Sequence, residues 1–359
     1  MSIDKVKRWI RPDVLSTSAY HVQEASGQIK LDAMENPYIW PAEIKQSWLN
    51  CLTHAAINRY PSADARVLKA KLRHAFSIPQ DLGLLLGNGS DEIIQIIMLA
   101  MAGQNTVFMA PTPTFVMYEV IAAATRARFV GIPLLRDFTL DRAALLHAMK
   151  DTQPAAIFLA YPNNPTGNLF DPETVCEIIE HAPGIVVMDE AYHVFAESSF
   201  LDRTRQYDHL LIMRTMSKFG LAGLRLGFLT GPAAWIGEFD KVRLPYNINL
   251  LTQMSATFIL DHLDLLNEQA TAIRRDRENL YQALVVIPGV TVWPSASNFL
   301  LFRVGDGGGT RVFNDLKKAG VLIKNLHGSH PILADSLRVT VGTPDENEAF
   351  LHALKNILH

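Results

Sequence analysis

Leu210-Leu-Ile-Met-Arg-Thr-Met-Ser-Lys218-Phe-Gly-Leu-Ala-Gly-Leu-Arg225 is the stretch from which the rest of the chain can be read. Leu210–Met213 is a short apolar run of the buried-strand type. It leads into a lysine that follows two hydroxyl residues, Thr215 and Ser217, and precedes an arginine, Arg225. An amine placed this way can condense with an aldehyde. The hydroxyls and the guanidinium can hold a phosphate beside it. An aldehyde and a phosphate on one small molecule point to pyridoxal 5′-phosphate (PLP). The plainer alternative is a solvated surface lysine, the fate of most lysines. The context has to decide between the two.

Upstream, Ala155-Ala-Ile-Phe-Leu-Ala-Tyr161 is another buried-strand run, and it passes directly into the turn cluster Pro162-Asn-Asn-Pro-Thr-Gly167. Ile185–Met188 is a third, ending in Asp189-Glu-Ala-Tyr192. Three strands therefore deliver polar residues at their carboxyl ends, the edge at which open α/β sheets bind ligands. Gly87-Asn-Gly-Ser-Asp-Glu92 follows a further strand and opens the helical run Ile93–Met101. Glycines let backbone approach a ligand closely, and first-turn N–H groups make an anion site. Gly89, Ser90, Asp91 and Glu92 are the phosphate candidates here, acting mainly through the backbone.

From Glu35 to Asn247 apolar runs alternate with helical patterns, with strands expected at 84–86, 106–109, 128–132, 156–160, 185–188, 210–213 and 226–229. Such alternation predicts βα units and a mostly parallel sheet. The expected organisation is an N-terminal arm (1–33) with little periodicity, a large domain (34–249), and a third part (250–359). That third part begins with a helix running unbroken to about residue 286 and continues as a small α+β domain with strands at 290–292, 299–304 and 337–341.

With 359 residues, 48% hydrophobic and 19% charged, the chain has the make-up of a globular protein with a large core. A net charge of −3 gives no field that would imply nucleic acid as a partner. Two cysteines, Cys51 and Cys176, make no disulfide framework and fit a reducing cytoplasm. The first residues lack the apolar core of a signal peptide. The most apolar window, Ile93–Ala102, is too short to span a bilayer, so no membrane association is expected. Gly305-Asp-Gly-Gly-Gly309 lacks the Lys-Ser/Thr of a phosphate loop and reads as a turn. His327 and His330 have no ligand pattern around them, and no metal is expected.

Asn-Pro-Thr-Gly at 164–167, Asp189-x-x-Tyr192 and Ser217-Lys218, in that order, resemble the fold-type I PLP-dependent aminotransferases of the aspartate aminotransferase superfamily. Met34–Tyr38, Asn58–Pro61 and Leu337–Thr343 extend the resemblance over nearly the whole chain, and it is nearest to the histidinol-phosphate aminotransferase family. The resemblance implies an α/β fold with a large domain built on a mostly parallel seven-stranded sheet between helices, plus a small α+β domain. It implies PLP as cofactor, held by Lys218. Asp189 would face the ring nitrogen, and Tyr192 and Asn164 the ring's phenolic oxygen. Phe115 would stack on the ring, with Tyr118 as the spare aromatic. Thr215, Ser217 and Arg225 would hold the phosphate together with the 89–92 turn. Tyr60 would reach the phosphate across a dimer interface, which makes the enzyme a homodimer with shared active sites. On the substrate side it implies Arg338 as the anion clamp, with Tyr20, Lys324 and Asn36 nearby. Arginine is the usual family residue near position 324, and lysine binds phosphate without its bidentate geometry. The implied reaction is transamination between L-histidinol phosphate and 2-oxoglutarate, giving glutamate, in histidine biosynthesis. An aromatic or broad-specificity aminotransferase, and a PLP-dependent decarboxylase of a phosphorylated amino acid, are the open alternatives. A transcription regulator with an aminotransferase-like domain would need a helix-turn-helix module for which the arm is too short.

Overall fold

Seven strands side by side place the polar ends of the chain's apolar runs along one edge. A computed structural model describes residues 3–16, 18–19, 23–305 and 307–358. The first strand, β1 (Ile29–Lys30), stands apart from the main sheet. The main sheet comprises β2 (Leu82–Gly87), β3 (Val107–Thr112), β4 (Arg128–Pro133), β5 (Ala156–Ala160), β6 (Ile185–Asp189), β7 (Leu210–Thr215) and β8 (Gly227–Pro232), in the order β2-β8-β7-β6-β5-β3-β4. Only β8 runs against its neighbours. All seven strands expected from the sequence are present, within three residues at their ends.

Except at the largely exposed edge strand β4, these strands are continuous apolar runs because both faces of the sheet are covered. Alternate residues go to opposite sides. Met109, Ile157, Leu159, Val186, Met188, Leu210 and Ile212 pack into one core layer. Phe108, Phe158, Ile185, Val187, Leu211 and Met213 pack into the other. The register brings Ala160 beside Asp189, Asp189 beside Met213, and Thr215 beside Gly227, which also pairs with Gly87. The ends of β2, β5, β6 and β7 thus lie in a row with the start of β8.

The C-terminal strands β9 (Val290–Val292), β10 (Phe299–Val304), β11 (Val321–Leu322), β12 (Lys324–Asn325) and β13 (Ser336–Thr340) follow. β12-β13-β10-β9 form an antiparallel sheet, while β11 pairs in parallel with β1. That last pair straps the arm to the C-terminal part of the chain. Leu31 continues the strap, donating its N–H to Leu322 and accepting from the Thr340 N–H. The residues after it, 32–34, are thereby carried towards the edge of the main sheet.

Two expectations change. The arm contains short helices at Ile3–Trp9 and Pro12–Leu15. The long helix is two, Leu250–Ile259 and Leu263–Val285, separated by a tighter turn at Leu260–His262. The sequence there stays apolar and then charged without a proline or glycine, so nothing in its composition marks the break.

Candidate active site

The row of strand ends opens into a cleft lined by Met34, Ser90, Asp91, Phe115, Asn164, Asp189, Tyr192, Thr215, Ser217, Lys218 and Arg225, among others. Its open space of about 570 Å³ suits a small molecule. Sequence positions spread over almost two hundred residues meet here because each lies at or just beyond a strand's end or on the strapped arm.

One end of the cleft is built for an anion. Gly89, with φ +86°, turns the chain from β2 into the helix Ser90–Met101, and no side chain caps that helix. The helices starting after Asp141, Asp171 and Asn249 each have one first-turn N–H taken by that side chain. At Ser90 the first-turn donors and the positive end of the helix dipole face the cleft instead. A Cβ on Gly89 would lie 2.5 Å from Arg225 Nη2, and one on Gly227 would lie 2.9 Å from Ser90 N. Both positions need glycine for close approach. Thr215 donates its hydroxyl to Ser217 Oγ at 3.0 Å. Arg225, held at the left-handed φ of +50°, reaches Ser217 Oγ and Asp91 Oδ2 over long bonds of 3.4 and 3.3 Å.

The opposite end holds a buried carboxylate. Asp189, at the tip of β6, is 4% exposed. Its Oδ2 accepts from the Tyr118 hydroxyl at 2.5 Å and its Oδ1 from the Ala191 N–H at 3.1 Å. Burial pushes its carboxyl up to about 6, against the pull of those two donors. Between the ends stands Lys218, half-buried, with Nζ donating to the Ala33 carbonyl at 3.0 Å. Burial, with Arg338 nearby, lowers its ammonium to about 8. The buried Tyr192 hydroxyl has a thioether, Met34 Sδ, at 3.5 Å. A sulfur is a weak acceptor, so this hydroxyl can exchange it for a ligand oxygen. Burial also raises the Tyr192 phenol, which stays a donor.

A wider cleft of about 1,170 Å³ continues from the first past Met34, Phe115 and Asn164 to Lys324, His330 and Arg338. Arg338 Nη1 donates to Asn164 Oδ1 at 2.6 Å and Nη2 to the Asp32 carbonyl at 2.9 Å. Lys324 lies directly across from Arg338 in the β12–β13 register.

Other expected residues lie elsewhere. Glu92 turns away from the cleft; its Oε2 accepts from the Asn88 N–H and from Asn247 Nδ2. Asn36 donates to Gln269 and does not line the cleft. Tyr60 is 81% exposed and stacks on Tyr246, outside its own chain's cleft. Tyr20 falls outside the described residues. Asn163, a turn residue by sequence, is buried in bonds to Pro113, Thr114 and Thr166. Tyr118 is no spare stacking ring: it lies flat on Phe158, centroids 4.9 Å apart, and its hydroxyl belongs to Asp189.

A buried ion pair completes the frame. Arg214 donates to Glu190 Oε2 at 2.7 and 3.0 Å, and the Ser199 hydroxyl and Phe200 N–H donate to the same carboxylate. Glu190 is the residue after Asp189 and Arg214 the residue before Thr215. Neither showed its partner in sequence, being 24 positions apart.

Residues 26–354 match the aminotransferase class I and II family. The chain belongs to that family. Within it the aminotransferase belongs with the histidinol-phosphate aminotransferases. It is 53% identical to histidinol-phosphate aminotransferase 2 of Nitrosococcus oceani over 99% of each chain. It is 48% identical to the histidinol-phosphate aminotransferase of Chromobacterium violaceum over 98% of each. Its fold matches the crystal structure of the Sinorhizobium meliloti histidinol-phosphate aminotransferase in complex with pyridoxal-5′-phosphate, with a TM-score of 0.87, 20% identity, and 98% and 97% of the two chains covered. Among the described residues, no helix of the aminotransferase is long and apolar enough to cross a membrane.

Proposed function

We propose that the chain transfers the amino group of L-histidinol phosphate to 2-oxoglutarate, using PLP, as a cytoplasmic homodimer with shared active sites. The donor set fits the cofactor. An uncapped helix start with two hydroxyls and an arginine suits its phosphate, a lysine amine its aldehyde, a buried carboxylate its ring nitrogen, and a weakly partnered tyrosine hydroxyl its phenolic oxygen. When bound, PLP supplies a sink for the electron pair left when the substrate's Cα–H bond breaks.

The chain's own residues supply the rest. Ser90, Asp91, Thr215, Ser217 and Arg225 hold the phosphate, with Tyr60 of the second copy reaching it from outside. Asp189 keeps a proton on the ring nitrogen, and Phe115 covers the ring's face. Lys218, with an ammonium lowered to about 8, can hold and release a proton near neutral pH beside the substrate Cα. The large domain (34–249) carries these groups, and the C-terminal domain (250–359) with the arm brings the substrate clamp.

The observation that carries the substrate is the pairing of Lys324 with Arg338. Two cations directly opposite each other on antiparallel strands destabilise a sheet, and here both line the wider cleft. A dianion beside them removes that cost. Histidinol phosphate brings such a group and has no carboxylate; 2-oxoglutarate brings carboxylates to the same clamp in the second half-reaction. Tyr20 is assigned to this phosphate as well, and Asn36 to the support of the pocket wall. The test is kcat/KM for histidinol phosphate, histidinol and phenylalanine with 2-oxoglutarate as acceptor. Charge-assisted bonds of roughly 1.5–3 kcal/mol each put histidinol several orders of magnitude below its phosphate. If phenylalanine wins, or if Lys324→Ala leaves the phosphate preference unchanged, the substrate is another one.

A further inference from the structure

We infer that Tyr118 is a positioning residue for the proposed reaction: its hydroxyl keeps the Asp189 carboxylate ionised and fixed in orientation at the ring end of the cleft. The inference rests on the assignment of Asp189 to the cofactor's ring nitrogen.

Tyr118 is completely buried in the helix Met117–Ala124. Its ring is stacked on Phe158 of β5 and met edge-on by Phe115, at 4.9 and 5.6 Å between centroids. Two rings thus fix where its oxygen lies. That oxygen is 2.5 Å from Asp189 Oδ2, and Ala191 N–H takes Oδ1. One donor on each oxygen pins the plane of the carboxylate, which β6 alone would leave free to turn about its last side-chain torsion.

The donor also acts on charge. Asp189 sits where burial favours the neutral acid, and Asp91 and Glu190 press in the same direction. Tyr192 adds a neutral phenol, and Lys218 and Arg225 are cations lining the same cleft. A neutral carboxylic acid cannot hold a positively charged ring N–H. A hydrogen bond donated to the carboxylate favours the ionised form. Tyr118 can donate it at every working pH, because burial and Asp189 hold its phenol well above the ordinary tyrosine range. Packing on Phe158 needs only a ring; the hydroxyl is what acts on Asp189.

The experiment uses the full chain with Tyr118→Phe and follows Asp189 by carbon-13 NMR of labelled aspartate, its signal assigned by its loss in Asp189→Asn. In the cofactor-free protein the Asp189 midpoint should rise by roughly 1–2 pH units, the worth of one charge-assisted bond. PLP retention by Tyr118→Phe should fall more steeply than in the parent as the pH drops, and that extra loss should vanish in the Asp189→Asn background. An unmoved midpoint in a folded Tyr118→Phe protein overturns the inference. If that variant does not fold, 3-fluorotyrosine at position 118, a stronger donor, must lower the midpoint; no movement overturns it equally. Should Asp189→Asn retain PLP as well as the parent, the cofactor assignment falls, whereas the titration result stands by itself.

Discussion

Replacing Asp189 by asparagine should make the cofactor-free protein more stable while abolishing its chemistry. The carboxyl is raised from an ordinary 3.8 to about 6 in the fold. A group raised in this way favours its neutral form, so the penalty for ionising it is complete above about 6 and fades as the pH falls towards 3.8. Each unit is worth about 1.36 kcal/mol, so the penalty is about 3 kcal/mol at pH 7 and about 1 kcal/mol at pH 4.5. Asparagine removes the charge and keeps the shape. Its amide oxygen can accept from the Ala191 N–H and its NH₂ can donate to the Tyr118 oxygen, but the buried Tyr118 hydroxyl proton then loses its acceptor, which costs about 1 kcal/mol at either pH. Urea unfolding of both proteins without PLP, at the two pH values, measures the difference directly. Cofactor must be excluded, because binding stabilises the folded state by mass action. The variant should gain about 2 kcal/mol at neutral pH, and that gain should be gone at pH 4.5. A gain equal at both pH values, or a loss at pH 7, refutes the claim that the parent pays for a buried charge there.

Borohydride reduction of the PLP-loaded protein followed by peptide mapping should place the label on Lys218, and Lys218→Ala should lose transamination. Without cofactor, reductive methylation of Lys218 should rise through about pH 8, where its ammonium gives up its proton, well below the ~10.4 of a solvated lysine; a label elsewhere or an ordinary profile counts against the assignment. Tyr60→Phe should weaken PLP retention roughly fivefold, as expected for one hydrogen bond, and sedimentation should show a dimer; a monomer of full activity would exclude the shared site.

Much of this was legible because the strands are buried on both faces. Runs such as Ile185–Met188 and Leu210–Met213 need no partner to be recognised, and their polar exits, Asp189 and Thr215, come with them. Lys218, Asn164 and Arg225 were legible as motif residues close to those exits. What escaped were relations between distant residues. Tyr118 could be read only as a ring near Phe115, since its oxygen's partner is 71 positions away. The Glu190–Arg214 pair carried no sign of itself in the sequence, although both are buried. Asn36 was placed in the pocket by resemblance, but its amide is engaged by Gln269 on a helix more than two hundred residues on. Glu92 sits in the right turn and faces the wrong way, because the Asn88 N–H and Asn247 compete for its carboxylate. Strands of two residues, such as β1, β11 and β12, are too short to carry any period.

The Glu190–Arg214 pair has one more consequence. Asp189 and Thr215 are the residues proposed for opposite ends of the cofactor, and each is covalently next to one member of the pair. The bond between Arg214 and Glu190 therefore acts as a calliper, setting the distance from the ring-nitrogen jaw to the phosphate jaw without touching anything held between them. The calliper is buried and has four donors on one carboxylate, so it is held by groups outside the cleft lining. A lesion in it would alter the gauge of the site while leaving every group in the jaws chemically intact.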